Sequence, residues 1–599
     1  METFMFLGFG LDAWITIILV LVVLGVLLYT KLPSDLVFLS AVSVLYITGV
    51  LDASEALSGF SSSTVAIVGA MGIMVAGLTY TGVMHLIVRY LLGRPKGYVK
   101  SLLRLMLPVA LLSSFINSAT VVVLFTGVVK LWSRKLKVTP SRLLIPLSYA
   151  GAIGGAGAII STPACLIIAD YYHTKSGQSM SLLAPALPTL FGLVAAFLTI
   201  ILLRRLLPER KAPEAAFETT GDYTVELLVP SDNPHVAKRV GQLGLNNVRG
   251  GSLIELRHFD DDKLLSPVPD KEPLMGGDRL VFAGQIDELL ELKKTYGLVS
   301  ADHHVFKISE VDTDRKLRTA YVKFGSRLIH TRIGGGTFEK DNNMTLVAVS
   351  RRGNRIEQPP REVVLEAGDT LLLACSPHGN TDTATLHKEL QFFDSADIVD
   401  IGRGTLISSV IMVMMVILAV ASVMPLLKCA LLASGAMLLC RCCSPSQAMS
   451  SINWSLLASL AASIVFGHAI QKTGIAEWLA RSVLDISGSN PLMVMIAISL
   501  VVAIITEFFS NTAVAAMTVP IMYTAARQLG YDPYPFLVAL ILAANNGFAS
   551  PFSSSLHMMV YGPGGYRFSD FVRIGVPVKF AVLAVGILVI YLIYPFMTR

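Results

Sequence analysis

The chain has 599 residues, of which 53% are hydrophobic and 15% charged, with a mean hydropathy of +0.63. That is too apolar for a soluble protein of this length and fits a polytopic membrane protein. A net charge of +6 is too small to read as a nucleic-acid surface, and the six cysteines carry neither zinc spacing nor the framework of a small secreted domain.

In chain order, apolar spans are predicted at about 13–30, 34–50, 64–90, 142–170 and 182–203, each near the length that crosses the hydrocarbon core. Glu2 and Asp12 precede the first, where a signal would have basic residues, so a retained helix is expected. Between the third and fourth spans lies an apolar segment, 105–129, interrupted by Ser113-Ser114-Phe115-Ile116-Asn117-Ser118. Arg89, Arg94, Lys96, Lys100 and Arg104 precede it, Lys130, Arg134, Lys135, Lys137 and Arg142 follow it, and no acid occurs from Arg89 to Arg142. The positive-inside rule puts both flanks in the cytoplasm, so a re-entrant hairpin is expected. Arg204, Arg205, Arg210 and Lys211 return the chain to the same side.

From 208 to 402 charge, Gly and Asp rise and apolar runs shorten to strand length. This cytoplasmic insert repeats. Leu274-Met275-Gly276-Gly277-Asp278 and Leu365-Glu366-Ala367-Gly368-Asp369 each lead into an apolar strand, 91 residues apart. Two small α+β domains are expected, at 208–300 and 301–402. The motif resembles the TrkA-C (RCK C-terminal) module, which implies a regulatory or assembly role with a small regulatory ligand. Gly334-Gly335-Gly336 lacks the strand and Lys of a phosphate loop.

Spans resume at about 404–424, 426–440 and 454–470, followed by a second interrupted segment at 491–526 and spans at 535–560 and 574–596. Cys440, Cys442 and Cys443 mark a turn at a membrane edge. Around the second interrupted segment the charges cancel, as suits the outer side. The fold expected is a polytopic α-helical membrane protein. It is an inverted repeat of five spans plus one re-entrant hairpin per half, 1–207 and 403–599, entered from opposite sides.

Polar residues concentrate at the interruptions. The second hairpin carries Thr506-Glu507-Phe508-Phe509-Ser510-Asn511-Thr512. Each hairpin is followed by a span with its own break, Gly154-Gly155-Ala156-Gly157 to Ser161-Thr162-Pro163 and Asn545-Asn546-Gly547 to Ser553-Ser554-Ser555. Gly and Pro free backbone carbonyls, and these with Ser, Thr and Asn oxygens are hard ligands that suit Na⁺. Helices restarting after a break point partial positive charge inward and favour an anion without Lys or Arg, which are missing from the interiors of these broken spans. Asn117, Ser118, Thr162 and Ser554 are candidate substrate contacts, and Ser113, Asn117, Ser161 and Ser553 candidate Na⁺ ligands. The competing reading is that the small residues only let helices pack closely.

The stretch Thr506 to Thr512, continuing to Pro520, resembles the Ser-Asn-Thr hairpin of the divalent-anion/sodium symporters. Val560-Tyr561-Gly562-Pro563-Gly564-Gly565-Tyr566-Arg567-Phe568-Ser569-Asp570-Phe571 is similar to a run in the sulfate-transporter-like branch of that family, which also carries two TrkA-C modules in this position. The resemblance implies a plasma-membrane homodimer with scaffold and transport domains. It implies elevator-type, Na⁺-coupled uptake of a small divalent anion, with no cofactor. By motif, Ser510, Asn511 and Thr512 contact substrate and one Na⁺, with Thr506 beside them. The chain departs from the family at Asn117-Ser118-Ala119, where Ser-Asn-Thr or Asn-Asn-Thr is usual, and at Cys165 and His557, where Asn is usual. These departures leave sulfate against dicarboxylate open, and Na⁺ against proton coupling through His557. A cation/proton antiporter would need Glu507 or Asp170 as its membrane acid. A K⁺ channel would need a carbonyl filter that is missing, and no motif supports an enzyme.

Overall fold

The computed structural model describes residues 10–29, 34–83, 97–136, 138–210, 222–246, 248, 251–259, 264–265, 267–307, 316–323, 326–332, 344–351, 354–356, 358–375, 389–392, 403–487 and 490–596. Arg89, Arg94, Lys96, Lys137 and Gly334 to Gly336 fall outside these residues.

The first membrane half comprises α1 (Leu11–Tyr29), α2 (Ser34–Ile47), α3 (Ala53–Leu57), α4 (Ser63–Tyr80), α5 (Tyr98–Ser113), α6 (Ser118–Leu136), α7 (Ser141–Gly154), α8 (Pro163–Ser176) and α9 (Ala186–Leu202). The second comprises α11 (Arg403–Val420), α12 (Leu426–Leu439), α13 (Pro445–Ser451), α14 (Trp454–Lys472), α15 (Ile475–Ser487), α16 (Pro491–Ile505), α17 (Asn511–Gln528), α18 (Pro533–Ala544), α19 (Ser555–Tyr561) and α20 (Phe568–Ile593). Of these, α4, α11, α14 and α20 are long and apolar enough to cross a bilayer.

The chemistry of each interruption explains where helices stop. α7 ends at Gly154-Gly155, and α8 restarts with Pro163 in its first turn, where a missing N–H costs nothing. α18 ends at Asn545, and α19 restarts behind Ser554, whose hydroxyl accepts from Leu556 N at 3.3 Å. The expected spans at 142–170 and 535–560 are thus each two helices around a break. Both interrupted segments are helical hairpins: α5 packs on α6 and α16 on α17, with tips at 114–117 and 506–510. The packing then crosses over. α8, which follows the first break, packs on α17, and α19, which follows the second, packs on α6. One apolar core running from Ile67 to Ile590 joins both halves.

The insert forms two five-stranded antiparallel sheets. The first has β1 (Asp222–Leu228), β2 (Gly251–Arg257), β3 (Leu264–Leu265), β4 (Arg279–Gln285) and β5 (Val299–Lys307) in the order β3-β2-β4-β1-β5, with helix α10 (Ile286–Thr295). The second has β6 (Lys316–Val322), β7 (Met344–Arg351), β8 (Asn354–Arg355), β9 (Thr370–Cys375) and β10 (Leu390–Phe392) in the order β10-β6-β9-β7-β8. The two orders are the same, and each has a register shift at the same place, Leu253/Glu255 and Leu346/Ala348. The repeated Gly-Asp is the turn before β4 and β9. Gly277 and Gly368 have φ of 89° and 84°, a conformation that favours glycine, and Asp278 and Asp369 are buried. β5 pairs with β1 and carries the first sheet to Lys307, past the boundary expected at 300. The sheets pack on each other through Ile254, Val281 and Ala283 against Val347, Ala348, Leu372 and Ala374.

Insert and membrane part touch closely. Arg210 donates to both oxygens of buried Asp570, at 3.1 and 3.2 Å, and Ser141 donates to Pro208 O at 2.8 Å. A Cβ added at Gly562 would lie 3.3 Å from Gly368 Cα.

Candidate functional site

The tips and breaks gather buried polar groups, among them Ser113, Ser161, Thr506, Asn545 and Ser553. Asn117 and Ser510 cap the return legs of their hairpins: Asn117 Oδ1 accepts from Ala119 N at 2.9 Å, and Ser510 Oγ from Ala513 N at 3.3 Å. Both side chains are otherwise exposed. Thr506, the first residue of the second tip, is buried and donates to Asn511 Oδ1 at 3.0 Å and to Ala544 O at 2.8 Å.

A polar chain crosses from one half to the other. Asn511 Nδ2 lies 3.4 Å from Asn545 Oδ1, and Thr162 Oγ1 lies 3.5 Å from the same oxygen. Asn545, 4% exposed, donates Nδ2 to Ile541 O at 2.9 Å and lies 3.6 Å from Cys165 Sγ. Thr162 Oγ1 is 3.0 Å from Cys165 Sγ. Thr162, Asn511 and Thr506 are therefore brought together, and Asn545, not among the expected contacts, is the residue that joins them. Thr512 and Ser554 are half-buried in the first turn of α17 and at the cap of α19.

The two breaks are built alike. Ser161 Oγ bonds Gly155 O and Ala158 O, and Ser553 Oγ bonds Gly547 O and Ser550 O at 2.7 and 2.8 Å. Cys165 Sγ lies 3.7 Å from Gly155 O, and His557 Nε2 donates to Gly547 O at 2.8 Å. Expected Na⁺ ligands Ser161 and Ser553 thus hold the carbonyls of their own breaks. Ser118 is buried with its hydroxyl 3.5 Å from Ser113 O. Ser113 Oγ is fully buried without a hydrogen-bond partner among the described residues.

Three further residues considered above have partners in the structure. His557 is wholly buried, with Nδ1 3.0 Å from Ser148 Oγ, and its ring packs against Tyr149, Phe548 and Phe571. Both ring nitrogens are engaged, and the ring links Ser148 of α7 to the Gly547 carbonyl of the second break. Glu507, the antiporter acid considered above, is paired with Lys579, which reaches in from α20 at 2.7 Å. The other acid considered, Asp170, accepts from Ser63 Oγ at 2.8 Å at the start of α4.

A cavity of about 330 Å³ opens beside the first tip, lined by Asn117, Thr120, Ser161 and Thr162 on one side and by α4 with Ser451 and Asn453 on the other. It lies at the low end of the usual range for small-molecule sites, about 300–1,000 Å³.

A family profile described as CitMHS, citrate transporter, matches residues 19–427 and 410–599. The chain is similar to an uncharacterized transporter of Synechocystis sp., at 27% identity over 97% of this chain and 98% of that one. It is also similar to sodium/sulfate cotransporter 1 of Chlamydomonas reinhardtii, at 26% identity over 62% of this chain and 43% of the relative. A sodium-dependent dicarboxylate transporter of Staphylococcus saprophyticus matches at 27% identity over 25% of this chain and 29% of its own.

Proposed function

Because the chain belongs to the citrate transporter family, and so is a membrane transporter and not an enzyme, we propose that it is a secondary active carrier for a small divalent oxyanion, coupled to Na⁺. Sulfate is the first candidate and a dicarboxylate the second. The observation that carries this reading is the polar chain Thr506–Asn511–Asn545–Thr162 across the two breaks. It offers neutral donors and restarting helix ends for an anion, and neutral oxygens for a cation. Related proteins named for sodium/sulfate and for dicarboxylate transport favour the same substrate class.

In this proposal Asn117, Ser118, Thr162, Ser510, Asn511, Thr512 and Ser554 face the anion. Ser113, Asn117 and Ser161 serve one Na⁺, and Thr506, Asn511 and Ser553 the other. The unpartnered Ser113 hydroxyl supports the first of these sites. The matched hydrogen bonds of the two breaks support an inverted repeat. The cavity between the hairpin side and α4 supports an elevator-type cycle against a scaffold. We further read the protein as a plasma-membrane homodimer whose cytoplasmic insert is a pair of TrkA-C-like domains that bias the carrier between states through a small ligand. Their contact with the loop before α20, at Gly368 and Gly562, supports that role. A cation/proton antiporter is the less favoured reading, since Glu507 is already neutralised by Lys579.

Competition decides the substrate. Uptake of labelled sulfate into proteoliposomes is measured against unlabelled thiosulfate, succinate and phosphate. Inhibition by thiosulfate alone supports the sulfate reading. Inhibition by succinate alone moves the assignment to dicarboxylates, and no specific sulfate uptake rejects the sulfate reading.

A further inference from the structure

Glu507 and Lys579 are an ion pair inside the membrane part, with side chains 9% and 5% exposed and 2.7 Å between Oε1 and Nζ. A buried pair seldom repays its desolvation by attraction alone. This one makes further bonds. Glu507 Oε1 accepts from Phe548 N at 3.1 Å and Ala549 N at 3.0 Å, and Oε2 from Ser550 N at 2.7 Å. Lys579 Nζ also donates to Ala503 O, and Lys579 O accepts from Asn546 Nδ2 at 3.1 Å. A break in a membrane helix leaves successive N–H groups without partners, and each is costly in apolar surroundings. One carboxylate satisfies three of them, and the lysine makes the charge tolerable.

The capture of these amides shapes what lies around them. Gly547, at the head of the captured run, has its carbonyl occupied by Ser553 and His557. Thr506, next to Glu507 in sequence, reaches Ala544 O and Asn511. The first break is held differently. Ser114 stands after Ser113 as Glu507 stands after Thr506, and its hydroxyl donates to Gly154 O at 2.9 Å. That is one neutral bond where the second break has an ionic clamp.

We infer that Glu507 and Lys579 are a positioning pair that holds the 545–553 break in the shape that binds the coupling cation. They touch neither cation nor substrate. Their loss changes the cation dependence of transport before it changes substrate recognition. The inference rests on the Na⁺-coupled reading above.

The test measures the Na⁺ dependence of sulfate uptake by the full chain in proteoliposomes, and amide exchange at 545–553 in the same preparations. Glu507→Gln loses the charge, and is expected to raise the Na⁺ concentration for half-maximal uptake about tenfold, as the loss of one charged hydrogen-bond partner does. The sulfate concentration for half-maximal uptake at saturating Na⁺ stays within about twofold, which a general loss of structure would not give. Amide exchange quickens within the break. Lys579→Met strands the carboxylate and is more damaging. Glu507→Gln with Lys579→Met removes both charges and recovers part of the loss, so the double variant decides the matter where either single variant fails to fold. Unchanged Na⁺ dependence and unchanged exchange in Glu507→Gln or in the double variant overturn the inference. A wild type indifferent to Na⁺ rejects the coupling reading separately. The positioning claim is then decided by exchange alone, where faster exchange confined to the break sustains it and unchanged exchange overturns it.

Discussion

Asn511→Ala separates a site role from a packing role. The side chain makes two bonds in the structure, accepting from Thr506 Oγ1 at 3.0 Å and donating to Asn545 Oδ1 at 3.4 Å. Neither partner is orphaned by the change, because Thr506 keeps Ala544 O at 2.8 Å and Asn545 Oδ1 keeps Thr162 Oγ1 at 3.5 Å. The structural loss is therefore that of ordinary hydrogen bonds, about 0.5–1.5 kcal/mol. A contact to a charged ligand is worth more, about 1.5–3 kcal/mol, which converts to roughly tenfold to 150-fold in rate at limiting substrate. Ser118→Ala in the first half costs less, since its hydroxyl makes one long contact, 3.5 Å to Ser113 O. Initial uptake rates at limiting sulfate, beside thermal melting in detergent, make the comparison. Wild-type rates in Asn511→Ala would refute the reasoning, and so would a melting collapse that accounts for the whole loss.

His557→Asn replaces a brace, so it is expected to lower activity while leaving the pH profile of uptake unchanged; a flattened profile would restore the proton role. Gly575→Ala gains about 1 kcal/mol of helix propensity, but its Cβ would overlap the Phe548 backbone. Since that backbone cannot rotate away, the net effect expected is a loss of about 1–3 kcal/mol, seen as a lower melting temperature. In the insert, His258 sits between Asp278, 3.0 Å from Nδ1, and Glu272, 3.2 Å from Nε2, where the second copy has Arg351 on Asp369 and Glu366. Burial works against the charged imidazole, but hydrogen bonds to Asp278 and Glu272 outweigh it and hold its pKa above the ordinary value. A raised pKa gives stability that is complete below the unfolded value, about 6.5, and is lost as pH rises through the folded one. Amide protection in β2 and β4, taken relative to the intrinsic exchange rate at each pH, should therefore fall with rising pH while that in β7 and β9 stays unchanged, and His258→Arg should abolish the response. Equal pH responses in both sheets would contradict this.

Much of the architecture was legible because hydrophobicity and its interruptions are local signals. Gly154-Gly155 and Asn545-Asn546-Gly547 mark where helices stop, and Gly277-Asp278 with Gly368-Asp369 mark equivalent turns in the two sheets. Contacts between distant helices leave no such mark. Asn545 meets Cys165 across 380 residues, and Ser148 meets His557 across 409. No Lys or Arg lies in the breaks themselves, yet Lys579 enters from α20, 72 residues after Glu507. Hydropathy placed that lysine in an apolar span, and only packing shows that it faces a carboxylate and a chain break. The boundary expected at 300 falls inside β5, which is defined by pairing with β1 and not by its own composition.

The central claim is tested most directly by imposing gradients separately on proteoliposomes that contain the full chain. With an inward Na⁺ gradient and equal pH on both sides, labelled sulfate or succinate is expected to accumulate above its external concentration, and to leak back when an ionophore dissipates the gradient. Accumulation driven by a pH gradient alone, or no accumulation of either anion under an Na⁺ gradient, would contradict the account.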